Sequence, residues 1–185
     1  MKILFIITAS VAIKKCNKIL KQLFLNDIKV NCILTENALK MANIKELKKN
    51  ISGHIYTNKS EINNKMLHIK LTRESDLIVL CPATANIIAK FANGFADDLA
   101  STTLIASDKQ VIIVPAMNSE MWNNPINTKN VSALVKNGIE FIGPEYGRLS
   151  CGEVGLGRLS NTKKISNIVL DFLKNTQILK NKTCL

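Results

Sequence analysis

Five short stretches of the chain carry apolar residues on both sides of any extended backbone: "KILFIIT" (2–8), "IKVNCILT" (28–35), "DLIVLCPA" (76–83), "QVIIVPA" (110–116) and "IEFIGP" (139–144). A strand with one wet face alternates apolar and polar residues; a run with little alternation must bury both faces. Parallel strands joined by helical crossovers meet that demand, because the crossovers cover the sheet on both sides. The intervening segments supply the helices. Val11, Ile19, Leu20, Leu23 and Phe24 fall at helical spacing, as do Ile165, Ile168, Val169 and Phe172 behind an Asn161 cap. "ENALKMA", "IKELKK", "TANIIAKFANG", "DDLASTTLIAS" and "NTKNVSALVKNG" also read as helices, two of them ended by Gly94 and Gly138. "GHIYTN" reads as loop with a short extended piece, and "EYGRLSCGEVGLGRLS" as a glycine-rich loop too polar for the core. The fold class is therefore α/β, a doubly wound parallel sheet in a single domain. The domain is expected over residues 1–175, with 176–185 as a C-terminal tail or linker remnant.

Bulk properties exclude several functions. The formal charge is +11, from 25 basic and 14 acidic residues, which raises nucleic-acid binding. The basic residues are mostly lysines dispersed among asparagines, and aromatics are only 5%, so no basic block with stacking residues exists. Solvated lysines explain the charge, and no nucleic-acid partner is expected. No run of eighteen apolar residues occurs, so no membrane span is expected. The N-terminal "MKILFIITAS" lacks a cleavage pattern and reads as a first buried strand, which places the chain in the cytoplasm. Cys16, Cys32, Cys81, Cys151 and Cys184 are odd in number and widely spaced, so neither a disulfide framework nor a metal site is expected. Arg148 and Arg158, two of only three arginines, flank one glycine-rich segment.

Doubly wound sheets bind ligands beyond the carboxyl ends of their strands. Those ends are Thr8–Ala9–Ser10, Thr35–Glu36–Asn37, Pro82 to Asn86 and Pro115 to Asn118. Each segment alone reads as a strand-to-helix cap, with Pro82 and Pro115 terminating strands. Four polar ends on one sheet edge point instead to a mononucleotide-type cofactor. The first turn, "TASVA", has no glycine and is not a dinucleotide fingerprint; it suits a single phosphate.

Two motifs add a resemblance. "PAMNSEMW" (115–122) is similar to the Pro-x-Met-Asn-x-x-Met-Trp signature of the flavin-dependent cysteine decarboxylases. "RLSCGEVGLGRL" (148–159) resembles that family's substrate-recognition clamp, and "LHIKLTRESDLIVLCPATANIIAKFANGFADDL" its histidine and flavin segment. The likeness spans roughly Lys2 to Leu173. It departs from the family at Ala9, where a glycine is common, and at Ser150, where alanine is usual. The resemblance implies a Rossmann-like flavoprotein with FMN at Ala9, Ser10, Val11, Thr35, Glu36, Asn37, Thr84, Ala85, Asn86, Ile87 and Ala116. It implies catalytic roles for His68, Cys151 and Asn118, and substrate contacts from Asn118, Met121, Arg148, Leu149, Ser150 and Gly152. Trp122 reads as packing.

Within the family the likeness is to the branch that decarboxylates 4'-phosphopantothenoyl-L-cysteine to 4'-phosphopantetheine for coenzyme A. Direct decarboxylation would leave an unstabilised carbanion. Oxidising the thiol-bearing carbon first creates an electron sink, chemistry that belongs to the flavin. A homo-oligomer, trimer or dodecamer, is implied, with His68 and Asn118 serving one site from different chains. The alternatives are an oxidative decarboxylase of peptidyl cysteine, against which Cys151 argues, and a non-catalytic regulatory flavoprotein, against which both His68 and Cys151 argue. A flavin prenyltransferase shares the fold but lacks these motifs.

Overall fold

The computed structural model describes residues 1–63 and 66–182. In chain order the elements are β1 (Lys2–Ile7), a 3-10 turn (Val11–Lys15), α1 (Cys16–Leu25), β2 (Lys29–Leu34), α2 (Glu36–Met41), α3 (Ile44–Lys48) and β3 (Ile55–Tyr56). There follow α4 (Asn58–Asn63), α5 (Leu67–Arg73), β4 (Leu77–Ala83), α6 (Ala85–Ala92), α7 (Leu99–Ile105) and β5 (Val111–Pro115). The chain continues through α8 (Ser119–Asn123), α9 (Pro125–Lys136), β6 (Glu140–Phe141), β7 (Glu145–Arg148), β8 (Val154–Arg158) and α10 (Thr162–Lys182).

Six strands form one parallel sheet in the order β3-β2-β1-β4-β5-β6. The doubly buried reading holds for β1 beyond Lys2, β4 and β5, but not for the edge strand β6, where Glu140 is exposed and Phe141 half-buried. Ile3, Phe5 and Ile7 of β1 join the core under α1 and α10, with Ile19, Leu20, Leu23, Ile165 and Val169. Leu4 and Ile6, pointing the other way, join Leu67, Leu71, Ile88, Leu104 and Leu134 beneath α5, α6, α7 and α9. The order reverses direction between β1 and β4, which makes the carboxyl ends of those strands the topological switch point. Thr8 sits there, 3% exposed. Its hydroxyl donates to Pro82 O at 2.7 Å and accepts from Thr84 N at 3.2 Å, tying the two strand ends together.

Several sequence expectations are corrected. The segment from Glu145 to Arg158 is an antiparallel hairpin, β7–β8, rather than loop. Pro82 lies inside β4, which ends at Ala83; only Pro115 ends its strand. His68, to which the sequence pattern assigns no element, belongs to a helix, α5, whose Leu67 and Leu71 are buried one turn apart. The last helix does not stop near residue 174 but runs on to Lys182, so part of the expected tail is helical; residues 183–185 lie outside the described residues. Among the described residues no helix is long and apolar enough to cross a membrane.

Candidate active site

Four turns leave the sheet's carboxyl edge, and each is fixed by a side chain that accepts a hydrogen bond from the first turn of the following helix. Ser10 Oγ accepts from Ala12 N (3.3 Å), Thr35 Oγ1 from Ala38 N (3.4 Å), Thr84 Oγ1 from Ile87 N (3.5 Å) and Asn118 Oδ1 from Met121 N (2.9 Å). The capping reading and the site reading are thus compatible. The caps aim helix N-termini, with their partial positive charge, at one edge. Because Asn118 spends its oxygen on the cap, its amide nitrogen is the group left to donate.

Two cavities open on either side of Ala9. The first, about 500 Å³, is lined by Thr8, Ala9, Thr35, Glu36, Asn37, Asn58, Thr84, Asn86, Ile87, Lys90 and Asp98. Its walls are mostly hydroxyls and amides. Lys90 is held there by Asp97 at 2.8 Å and Asp98 at 3.1 Å; the bond to Asp97 chiefly holds its ammonium above the usual lysine range. The second cavity, about 400 Å³, is bounded by Ser10, Val11, Ala116, Asn118 and the hairpin residues Arg148, Leu149, Ser150 and Cys151. Lys15, Arg148 and Arg158 line it with no acidic residue, so it favours an anion.

The hairpin is brought over the Asn118 turn by two glycines. Met117 N donates to Gly157 O at 3.0 Å. Gly157 has φ +151°, and a Cβ there would run into the carbonyl oxygen of Met117. A Cβ on Gly155 would strike Ser119 in the same way. Gly147 leaves room for the Arg158 guanidinium, which Glu145 holds at 3.4 Å. At the hairpin tip, Leu149 N donates to Glu153 O at 2.8 Å, and the exposed Cys151 thiol lies 3.4 Å from Glu153 Oε2.

The expected site residues therefore divide. Ala9, Thr35, Glu36, Asn37, Thr84, Asn86 and Ile87 line one cavity; Ser10, Val11, Ala116, Asn118, Arg148, Leu149, Ser150 and Cys151 line the other. Ala85, Met121 and Gly152 line neither; Met121 is 47% exposed, and Trp122 is half-buried rather than core. His68 is apart from both, on α5 at the opposite face of the sheet from the 3-10 turn and α1. Sequence reading missed Lys15, Asn58, Lys90 and Asp98, which the fold brings to the cavity walls, and placed Thr8 and Met117 at strand ends without assigning them a role. The four missed residues carried no signal in the sequence, since none lies at a predicted strand end.

A family model described as "Flavoprotein" matches residues 1–174. The chain belongs to the flavoprotein family. Within it, the chain is 36% identical over 165 residues to the coenzyme A biosynthesis bifunctional protein CoaBC of Bacillus subtilis, covering 88% of this chain and 41% of that protein. It thus spans less than half the length of such bifunctional relatives. A probable phosphopantothenoylcysteine decarboxylase of Streptococcus mutans is 33% identical, with 89% of this chain matching 94% of that one. Among solved structures, a PPC decarboxylase variant complexed with pantothenoylaminoethenethiol superposes with TM-score 0.86 at 31% identity, covering 94% of this chain and 98% of that one. The FMN binding protein AtHal3 gives 0.84 at 31% identity, over 94% and 97% of the two chains.

Proposed function

We propose that the chain is an FMN-dependent carboxy-lyase that converts 4'-phosphopantothenoyl-L-cysteine to 4'-phosphopantetheine, in the cytoplasm, as a homo-oligomer. One observation carries the reading: the glycine contacts of β8 seat the Cys151 hairpin over the Asn118 turn, so an amide donor and a thiol face one cationic cavity. The relatives that share the fold support the substrate.

The donor set of the larger cavity fits FMN. Hydroxyls of Thr35 and Thr84 and amides of Asn37, Asn58 and Asn86 suit a polyhydroxylated chain, and Ala9 presents only a methyl where the group must pass. Ala9, Ser10, Val11, Thr35 to Asn37, Thr84 to Ile87 and Ala116 would hold it. When bound, FMN supplies a reversible two-electron acceptor for the thiol-bearing carbon of the substrate.

The chain's own groups do the rest. Asn118 Nδ2 donates to the substrate carboxylate, orienting it without protonating it, which keeps carbon dioxide a competent leaving group. Lys15 and Arg148 add positive charge for the anionic substrate. Cys151 Sγ delivers a proton as the decarboxylated product returns to the thiol level. His68 takes the thiol proton at the outset. Since His68 lines neither cavity of its own chain, a second copy of the chain supplies it; the exposed Ile62 and Met66 flanking that region suit such a contact.

Incubation with phosphopantothenoylcysteine and mass spectrometry of the product tests this. Phosphopantetheine is expected. An enethiol two hydrogens lighter would make the chain an oxidative decarboxylase, and unchanged substrate would leave a binding flavoprotein.

A further inference from the structure

We propose that Glu61 is a positioning residue that fixes the His68 ring in its Nδ1–H tautomer, leaving Nε2 as the proton acceptor. The proposal rests on the reading that His68 takes the substrate's thiol proton. Glu61, on α4, grips His68 at two points. Its Oε1 lies 2.5 Å from ring Nδ1, and its Oε2 accepts from the His68 backbone N–H at 3.1 Å. Both side chains are largely withdrawn from water, 21% and 27% exposed.

The backbone bond has a local reason. The first N–H groups of a helix lack partners and are usually satisfied by the N-cap side chain. At α5 that residue is Met66, in the left-handed region at φ +64° and with no side-chain cap. Glu61 fills the role from outside the helix, where its charge also suits the N-terminal dipole. That bond fixes the carboxylate and leaves its second oxygen against the ring. An ionised carboxylate only accepts, so the neutral imidazole must carry its proton on Nδ1. Nε2 then has a free lone pair, held in one orientation.

Capping alone and tautomer control are separated by Glu61→Gln. The amide oxygen can keep the backbone bond, but its NH2 then faces Nδ1, which must accept, moving the ring proton to Nε2. The chain has two histidines, so imidazole nitrogen shifts of 15N-histidine-labelled, FMN-loaded protein are simple to assign, with His68→Asn as the reference. The wild-type ring should read as Nδ1–H and the Glu61→Gln ring as Nε2–H. In the variant kcat should fall about 10–100-fold, the scale of losing an orienting partner, with KM and FMN content unchanged. The same tautomer in both proteins, or a Glu61→Gln enzyme with wild-type kcat, overturns the proposal. A fully active His68→Asn enzyme overturns the reading beneath it instead, and is told apart because the tautomer measurement does not depend on turnover.

Discussion

Replacing Gly157 by alanine tests whether the hairpin's seat controls the fate of the product. The new Cβ would meet the Met117 carbonyl oxygen, with the carbonyl carbons of Met117 and Asn118 at 3.2 Å. These are backbone atoms, so no flexible side chain can move aside. The φ of +151° is itself strained for alanine, at about 1–3 kcal/mol. Losing the Met117 N–H bond to Gly157 adds about 0.5–1.5 kcal/mol. If the hairpin stays seated, the sum of roughly 2–4 kcal/mol must appear in global stability, a Tm drop of about 5–15 °C for a chain of this size. If the hairpin lifts, the penalty is limited to its docking contacts and Tm barely moves, but Cys151 leaves the Asn118 turn. Decarboxylation would then continue while the product accumulates as the oxidised enethiol, since misplacing a reacting group by about 1 Å can cost about 100-fold. FMN absorbance should persist, because most of the residues proposed to hold FMN line the cavity that has no hairpin residue in its walls. Gly138→Ala is the control: its φ is +82° but nothing lies within 4 Å of the added carbon. It should cost only about 1–2 kcal/mol and leave the product unchanged. A Gly157→Ala enzyme with wild-type Tm and wild-type product would refute the reasoning.

Cys151→Ser should decarboxylate yet yield the enethiol; full-rate formation of phosphopantetheine, read by mass spectrometry, would remove Cys151 from the proton delivery. Thr8→Val keeps the shape but leaves Thr84 N–H without its acceptor at the switch point, so denaturant unfolding should show a loss of about 1–3 kcal/mol, with weaker FMN retention; an unchanged midpoint would contradict it. The Lys90–Asp97 pair predicts a pH window. Asp97 is lowered chiefly by its bond to Lys90, so its contribution exists above the unfolded value near 3.9 and is lost as pH falls through the folded one. Lys90 is raised, so its contribution exists below about 10.4 and is lost as pH rises through the folded value. The Tm difference between wild type and Lys90→Met should be flat from about pH 5 to 9 and shrink in acid; a difference that widens in acid would sink the pairing.

How far the sequence disclosed this depends on which side chains do the burying. The sheet was legible because β1, β4 and β5 bury both faces with large aliphatics, and because four strand ends carry capping residues. The hairpin was not, for a physical reason: the buried positions of β8 are Gly155 and Gly157, which have no apolar side chain to mark the alternation. The feature that seats the hairpin is the one that hides it. Glu61 was hidden differently, since it serves as a cap for a helix to which it does not belong, at a left-handed Met66 that no propensity predicts. The two cavities follow from strand order, because β1 sits at the switch point with Ala9 between β2 and β4 on one side and the β5 turn on the other. That same order sends α5 to the face away from α1, carrying His68 with it. Asn118 and Cys151 are fixed to the β5 side by the Met117–Gly157 bond. His68 lines neither the cavity of Asn118 and Cys151 nor the one beside it. On the proposed function the constellation that the motifs imply is completed between chains, which makes assembly a condition of turnover rather than an accompaniment to it.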